Sequence, residues 1–307
     1  MYSRTKVILH VFAIIFGLAW VMIECSCEGD TDKESSQANL SYSIKLDKTL
    51  ANYPKPQKLR YCFYPTNGGP MLRTDGDANN FKITLPADKY NILVFNCDAA
   101  NIEFKNLESF DEAEARLITA KATKATDNNI NPETPLYGLV IYDLEIEPGQ
   151  NIQEVIQPAP LVKEISFNIN IDGSEYISKC NGSLSGVAAA LNLSKQQVMP
   201  DKPAIVNIET TLTDKGIKGS ALILGIATQT EEGGQEQPTL STNQLTLNFT
   251  LTDGSTFTTT TDLGHDLSDK QQPDIHVDMD ATISLAPTFT VTINSWKIAS
   301  GDSMIIK

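Results

Sequence analysis

Strict two-residue alternation between apolar and polar side chains is the feature that most constrains this fold. Leu245, Leu247, Phe249 and Leu251 alternate with Thr246, Asn248, Thr250 and Thr252, and the run stops at Asp253-Gly254. Successive side chains of a strand point to opposite faces, so such a run has one face on a core and the other in water. Asp-Gly supplies the positive φ that a tight hairpin needs, and residues 256–261 read as the returning strand. The same pattern places Ile165, Phe167, Ile169 and Ile171 on one face, with Glu164, Ser166, Asn168 and Asn170 on the other. Further strands are expected at 205–213, 220–227, 275–283 and 289–298.

The first half follows the same rule. Leu59, Tyr61 and Phe63 alternate with Arg60, Cys62 and Tyr64, and a turn at 65–70 carries Asn67, Gly68 and Gly69. Phe81, Ile83 and Leu85 alternate again. Residues 86–89 then read as the turn of a second hairpin into 90–96, an almost wholly apolar strand of the kind buried on both faces. Residues 136–146 form another strand. One short peripheral helix is expected at 107–118, where Leu107, Phe110, Glu114 and Leu117 have helical spacing on a narrow apolar face. Many short strands separated by turns predict an all-β chain of β-sandwich domains rather than alternating strands and helices.

The stretch 147–160 holds three prolines and a glycine and is the expected domain boundary, with 152–156 closing the first sheet. The resulting division is a lipoprotein signal peptide at 1–26, a polar tether at 27–56, an N-terminal sandwich at 57–157 and a C-terminal sandwich at 158–307. The tether carries one alternating patch, 40–46, that reads as a short strand.

At the N-terminus Arg4 and Lys6 precede an apolar run from Val7 to Ile23, followed by Cys25 and Cys27. This pattern reads as an export signal, with an uncleaved membrane anchor as the alternative. Ser26 puts a small residue before Cys27, whereas the charged Glu24 precedes Cys25, so Cys27 rather than Cys25 is the expected site of lipidation. Either reading ends at a membrane surface.

Little here points to chemistry. The formal charge of −14, with no Lys/Arg cluster, disfavours nucleic acid as a partner. His276, Asp278 and Asp280 share one face of a strand and are the candidate metal ligands; the competing reading is a solvated sheet face, and no metal or other cofactor is expected. The segment Gly182-Ser183-Leu184-Ser185-Gly186 approaches a nucleophile elbow but has Leu184 where the serine belongs. Beyond the export run only His265 and His276 are available, so a Ser/His/Asp triad is poorly supplied and no enzyme is expected. Cys62, Cys97 and Cys180 match no zinc or redox spacing; Cys62 and Cys97 either pair or remain free thiols. Trp296 and Tyr90 are expected as core anchors.

Several segments together resemble the fimbrillin-like lipoproteins of Bacteroidetes, in particular the FimB/Mfa2-type fimbrial anchor subunits and related two-domain lipoproteins. In the first half these are the strand at 59–64 running into Pro65, and Leu85-Pro86-Ala87-Asp88-Lys89-Tyr90 leading into Leu93-Val94-Phe95-Asn96. In the second half they are residues 182–188, Leu247-Asn248-Phe249-Thr250-Leu251-Thr252-Asp253-Gly254, and Val291-Thr292-Ile293-Asn294-Ser295-Trp296. The resemblance implies two transthyretin-like sandwiches on a lipid-anchored protein at the cell outer membrane. It also implies partnership with other fimbrial subunits through strand addition. The acidic run at 28–32 resembles the signal that sends such lipoproteins to the outer face, and Asp302-Ser303-Met304 resembles their O-glycosylation pattern at Ser303. In shaft subunits of this superfamily, cleavage after an arginine releases a first strand and opens a groove. Here Lys33, Lys45, Lys48, Lys55 and Lys58 are the basic residues between Cys27 and Leu59, and the first arginine beyond them, Arg60, lies in a core strand. An anchor or accessory subunit is therefore expected rather than a shaft subunit. The alternative is a stand-alone adhesin or glycan-binding lipoprotein, with loops 121–135 and 228–240 making the contacts.

Overall fold

The computed structural model describes residues 36–46, 50, 53–118, 131–199, 203–227, 243–263, 267, 274–284 and 290–299. In chain order the first half contributes β1 (Gln37–Ile44), β2 (Lys58–Pro65), β3 (Leu72–Asp77), β4 (Asn80–Pro86), β5 (Asp88–Asn96), β6 (Ile102–Lys105), β7 (Glu114–Leu117), β8 (Tyr137–Ile146), β9 (Asn151–Ile156) and β10 (Ala159–Pro160). The second half contributes β11 (Lys163–Asp172), β12 (Ile177–Ala188), β13 (Ala190–Asn192), β14 (Gln197–Val198), β15 (Pro203–Thr213), β16 (Gly216–Ile223), β17 (Gln244–Leu251), β18 (Thr256–Asp262), β19 (Asp274–Ser284) and β20 (Thr290–Ala299). The chain is all-β, as the alternation requires.

The first sandwich packs an antiparallel sheet of order β10-β8-β5-β2-β3 against a smaller sheet of order β4-β1-β9. Leu59, Tyr61 and Phe63 of β2 and Tyr90, Ile92 and Val94 of β5 meet Ala38, Leu40 and Tyr42 of β1 and Phe81 and Leu85 of β4. Each large side chain buried there contributes about 1.5–3 kcal/mol. The Tyr61 and Phe81 rings stack with centroids 3.6 Å apart. From Ile92 to Phe95 β5 is apolar on both faces because its other face is covered too. Leu93 and Phe95, with Cys62 and Tyr64 of β2, lie in a core that runs on into the second half.

A third sheet, β14-β13-β7-β6, draws on both halves of the sequence. β7 pairs antiparallel with β13, from Ala190 opposite Arg116 to Asn192 opposite Glu114. Leu117 donates its N–H to the Ala189 carbonyl, Leu193 donates to Ala113, and the Tyr142 hydroxyl donates to Ser194. One hydrophobic core therefore continues from Cys62 and Phe95 through Leu191 to Val277 and Met279.

The second half forms β18-β17-β12-β15-β16-β11-β19-β20. β15 belongs to two sheets. Its residues 203–208 pair with β12, and its residues 209–213 pair with β16. The apolar rows of β11, β16 and β19 then face those of β12 and β17. At the bend, a Cβ on Gly182 would lie 2.9 Å from the Ile208 Cβ, and one on Gly219 would lie 2.7 Å from Ile208 Cγ2. The two glycines leave the space that lets β15 turn between sheets with Ile208 buried beneath it.

Three expectations are corrected. Residues 107–118 form no helix: Leu107, Ala113, Ala115 and Leu117 are buried, and the last two flank the half-buried Arg116 within β7. The narrow helical stripe is outcompeted by pairing with β6 and β13. Residues 86–89 do not close a hairpin, because β4 pairs with β1 while β5 pairs with β2 and β8, so the chain crosses between sheets at Ala87. Finally, part of the segment expected to be tether supplies the central strand of a sheet, and that strand begins at Gln37 rather than Leu40. The Asp253-Gly254 hairpin is as expected, with Gly254 at φ +85°.

Candidate functional site

The polar face singled out by its histidine is built across two parallel strands. Register places Ser166, Asn168 and Asn170 of β11 beside His276, Asp278 and Asp280 of β19. Each pair is bonded: Ser166 Oγ lies 2.7 Å from His276 Nδ1, Asn168 Nδ2 donates to Asp278 Oδ1 at 3.3 Å, and Asn170 Nδ2 donates to Asp280 Oδ1 at 3.1 Å. His276 Nε2 is 3.3 Å from Asp278 Oδ1. Ser166, His276 and Asp278 thus stand together in a way that sequence spacing did not reveal. Ser166 and His276 line an open depression floored by β11, β15, β16 and β19, where among the described residues no helix N-terminus or glycine loop stands to stabilise an oxyanion. Strand rise separates positions 276 and 280 by about 13 Å. Ligands of one ion must each approach it to roughly 2.0–2.2 Å, so the three side chains do not converge. Among the described residues no group of three or more His, Cys, Asp or Glu side chains is placed to hold a metal.

The near-elbow at 182–186 has a structural role. Gly182 makes room for Ile208, and Gly186, at φ +71°, sits in the bulge between Leu184 and Val187. Asn243 Nδ2 donates to the Gly186 carbonyl at 2.9 Å and holds that bulge.

Cys62, Cys97 and Cys180 are free. Asn96 pairs with Leu59, so Cys97 follows on beside Lys58 while Cys62 faces Leu93. Their Cα atoms are therefore about four strand residues, roughly 13 Å, apart along the strands, beyond the Cα reach of a disulfide. Burial pushes the Cys62 and Cys180 thiols up to about 11. Tyr90 is a core anchor, 1% exposed, with its hydroxyl donating to the Pro86 carbonyl. Trp296 falls in β20, of which only the backbone is described.

The seat of β1 is the most elaborated feature of the first sandwich. β1 runs antiparallel to β4, from Gln37 opposite Pro86 to Ser43 opposite Asn80, and parallel to β9, from Asn39 opposite Asn151 to Ile44 opposite Ile156. The Asn39 side chain ties all three strands: its Nδ2 donates to Asn151 Oδ1 at 3.0 Å, and its Oδ1 accepts from Thr84 Oγ1 at 2.9 Å. Ala38, Leu40 and Tyr42 are 2%, 1% and 1% exposed. Among the described residues the hydroxyls of Tyr42 and Tyr61 are buried without a hydrogen-bond partner. Sequence reasoning found a short strand at 40–46 but missed its seat in the sheet, although Ala38, Leu40, Tyr42 and Ile44 alternate with Asn39, Ser41 and Ser43. Cys25, Cys27, His265 and Ser303, the export run, and loop positions 121–130 and 228–240 lie outside the described residues.

The described residues form two β-sandwiches in which β1 fills the middle of the smaller sheet of the first, and among them no catalytic or metal-binding group converges. Over residues 27–209 the sequence matches the family described as "Domain of unknown function (DUF5119)", and the chain belongs to that family. It is 26% identical over 156 residues to the Bacteroides ovatus protein named "Putative fimbrium anchoring subunit Fim4B". That match takes in 50% of this chain and 47% of the relative, about half the length of each. The fold is similar to that of a "putative adhesin" from Bacteroides ovatus, with TM-score 0.58 and 21% identity over 86% of this chain and 95% of the other. It is also similar to the fimbrial anchor protein Mfa2 from Porphyromonas gingivalis, with TM-score 0.55 and 14% identity over 85% and 97%. The resemblance to fimbrial anchor proteins read from the sequence is matched by these similarities.

Proposed function

We propose that this chain is a lipid-held anchor or accessory subunit of a fimbria, joined to neighbouring subunits by β-strand addition. The observation that carries the reading is β1, the first strand among the described residues, which fills the middle of a sheet from within the same chain. A subunit whose first strand is retained keeps its link to whatever precedes that strand. Cys27 precedes β1 by a short acidic segment, and the family match begins at residue 27. No arginine lies between Cys27 and Leu59 at which a shaft-type cleavage would free β1. The similarity to the anchoring subunit Fim4B supports the same reading, as does the fold shared with Mfa2. No feature of the described residues supplies a catalytic site, so the work assigned to the chain is attachment.

Native purification from the surface of the source bacterium tests this. Fimbrial subunits that copurify in ladders are expected. A monomer that binds glycan arrays and brings no subunit with it would favour a stand-alone adhesin instead.

A further inference from the structure

β9 leaves the first sandwich open along one side. The two ladder bonds that flank its pairing with β1 run from Asn39 N–H to the Gln150 carbonyl and from Lys45 N–H to the Ile156 carbonyl. In a parallel ladder alternate residues bond the same neighbour, so Ile152, Glu154 and Ile156 turn their backbone groups toward β1. Asn151, Gln153 and Val155 turn theirs outward, and among the described residues no strand pairs with that side.

Among the described residues the neighbouring edge of the other sheet is nearly as bare. β10 meets β8 only at Gly138 and Tyr137. Beyond that point Leu139, Ile141 and Leu144 of β8 belong to the inner face, opposite Val94, Ile92 and Tyr90 of β5, yet they are only half-buried. Ile152 of β9 is half-buried on the same inner face. Among the described residues these inward apolar side chains have no covering strand on that flank. Two other edges are shielded: β3 carries Arg73, Asp75 and Asp77, and the outer edge of β15 is capped by the Asn131 side chain, which bonds both the N–H and the carbonyl of Asn207. β9 has no proline, glycine or lysine. Its one charge, Glu154, sits at an inward position beside Tyr42, close enough that its charge adds to burial in raising the Tyr42 pKa.

Resting on the fimbrial reading above, we infer that the outer edge of β9 is the docking site for an extended segment of a partner subunit. That segment adds as a fourth strand to the β4-β1-β9 sheet. Its inward side chains are apolar at two positions flanking a lysine or arginine. The apolar pair covers Leu139, Ile141 and Ile152, and the cation meets Glu154 in a site partly shielded from water. Backbone bonds to Asn151, Gln153 and Val155 give affinity, while the cation fixes register, because a slip of one residue would turn it outward.

Amide hydrogen exchange on full-length protein, free and within assemblies taken from the cell surface, tests this residue by residue. In the free protein the amides of Gln153 and Val155 are expected to exchange fast and those of Ile152, Glu154 and Ile156 slowly. In assemblies the outward pair is expected to slow by about tenfold or more. Gln153→Pro removes an outward donor without touching the β1 ladder and is expected to abolish subunit capture, while Gln153→Ala retains it. Glu154→Lys is expected to weaken capture with an unchanged melting temperature. Assemblies in which the outward amides still exchange freely, or which form with Gln153→Pro, overturn this inference alone. A purified chain that dimerises through β9 also overturns it. The absence of any associated subunit overturns the fimbrial reading and this inference with it.

Discussion

Gly182 lies directly against Ile208, and the Cβ it lacks would stand 2.9 Å from the Ile208 Cβ at the point where β15 passes from β12 to β16. That contact converts one long strand into the shared corner of two sheets. It also accounts for a glycine-serine segment that otherwise suggests catalysis. Gly219 supports Ile208 from the other side, so the corner depends on two absent side chains.

Gly182→Val should destabilise the folded chain by about 1–3 kcal/mol, the usual cost of overpacking a filled site. Chemical denaturation checks it, with Ser183→Val at the neighbouring, partly exposed position as the control. Equal stability of wild type and Gly182→Val would show that β15 does not turn on this contact.

The buried thiols give the protein an alkaline limit. Cys62 and Cys180 are raised from 9.0 to about 11 by burial. Between those values the folded chain keeps protons that the unfolded chain has lost. The stabilisation is complete below pH 9 and is lost as pH rises through 11, at about 1.4 kcal/mol per pH unit for each thiol. Urea unfolding from pH 8 to 11 should show this decline, with a shallower slope in Cys180→Ala. An identical slope in that variant would contradict it.

The histidine face should be indifferent to metal. Its three candidate ligands point along a strand and are engaged by Ser166, Asn168 and Asn170. Thermal melts with a chelator and with added calcium or zinc should superimpose. A reproducible rise in melting temperature that vanishes in His276→Ala would restore a site there, since a ligand that binds only the native state must stabilise it.

Strands with clean alternation were legible in the sequence. β17, β11 and β19 carry an unbroken apolar row, and β5 announced burial on both faces through its run of apolar residues. β12 was not legible. Its apolar positions are Ile177, Cys180, Leu184 and Val187, and bulges at 177–179 and 184–187 shift the parity between them. Its glycines and serines read as a near nucleophile elbow, although Gly182 is what the packing demands. β7 and β13 are short, and they exist because they pair across distant parts of the chain, which no local pattern encodes. The side-chain triplet Ser166, His276 and Asp278 was invisible for the same reason, since a parallel pairing brings together residues 110 positions apart.

The central claim is that the mature chain keeps β1 and remains tied to the membrane through Cys27. Metabolic labelling with a fatty-acid analogue, followed by N-terminal mass analysis of protein recovered from the cell surface, tests both parts at once. The account predicts a labelled chain beginning at Cys27, with label lost in Cys27→Ala and β1 intact. An unlabelled chain beginning beyond Tyr42 would contradict it, because β1 would then have left the sheet and the anchor with it.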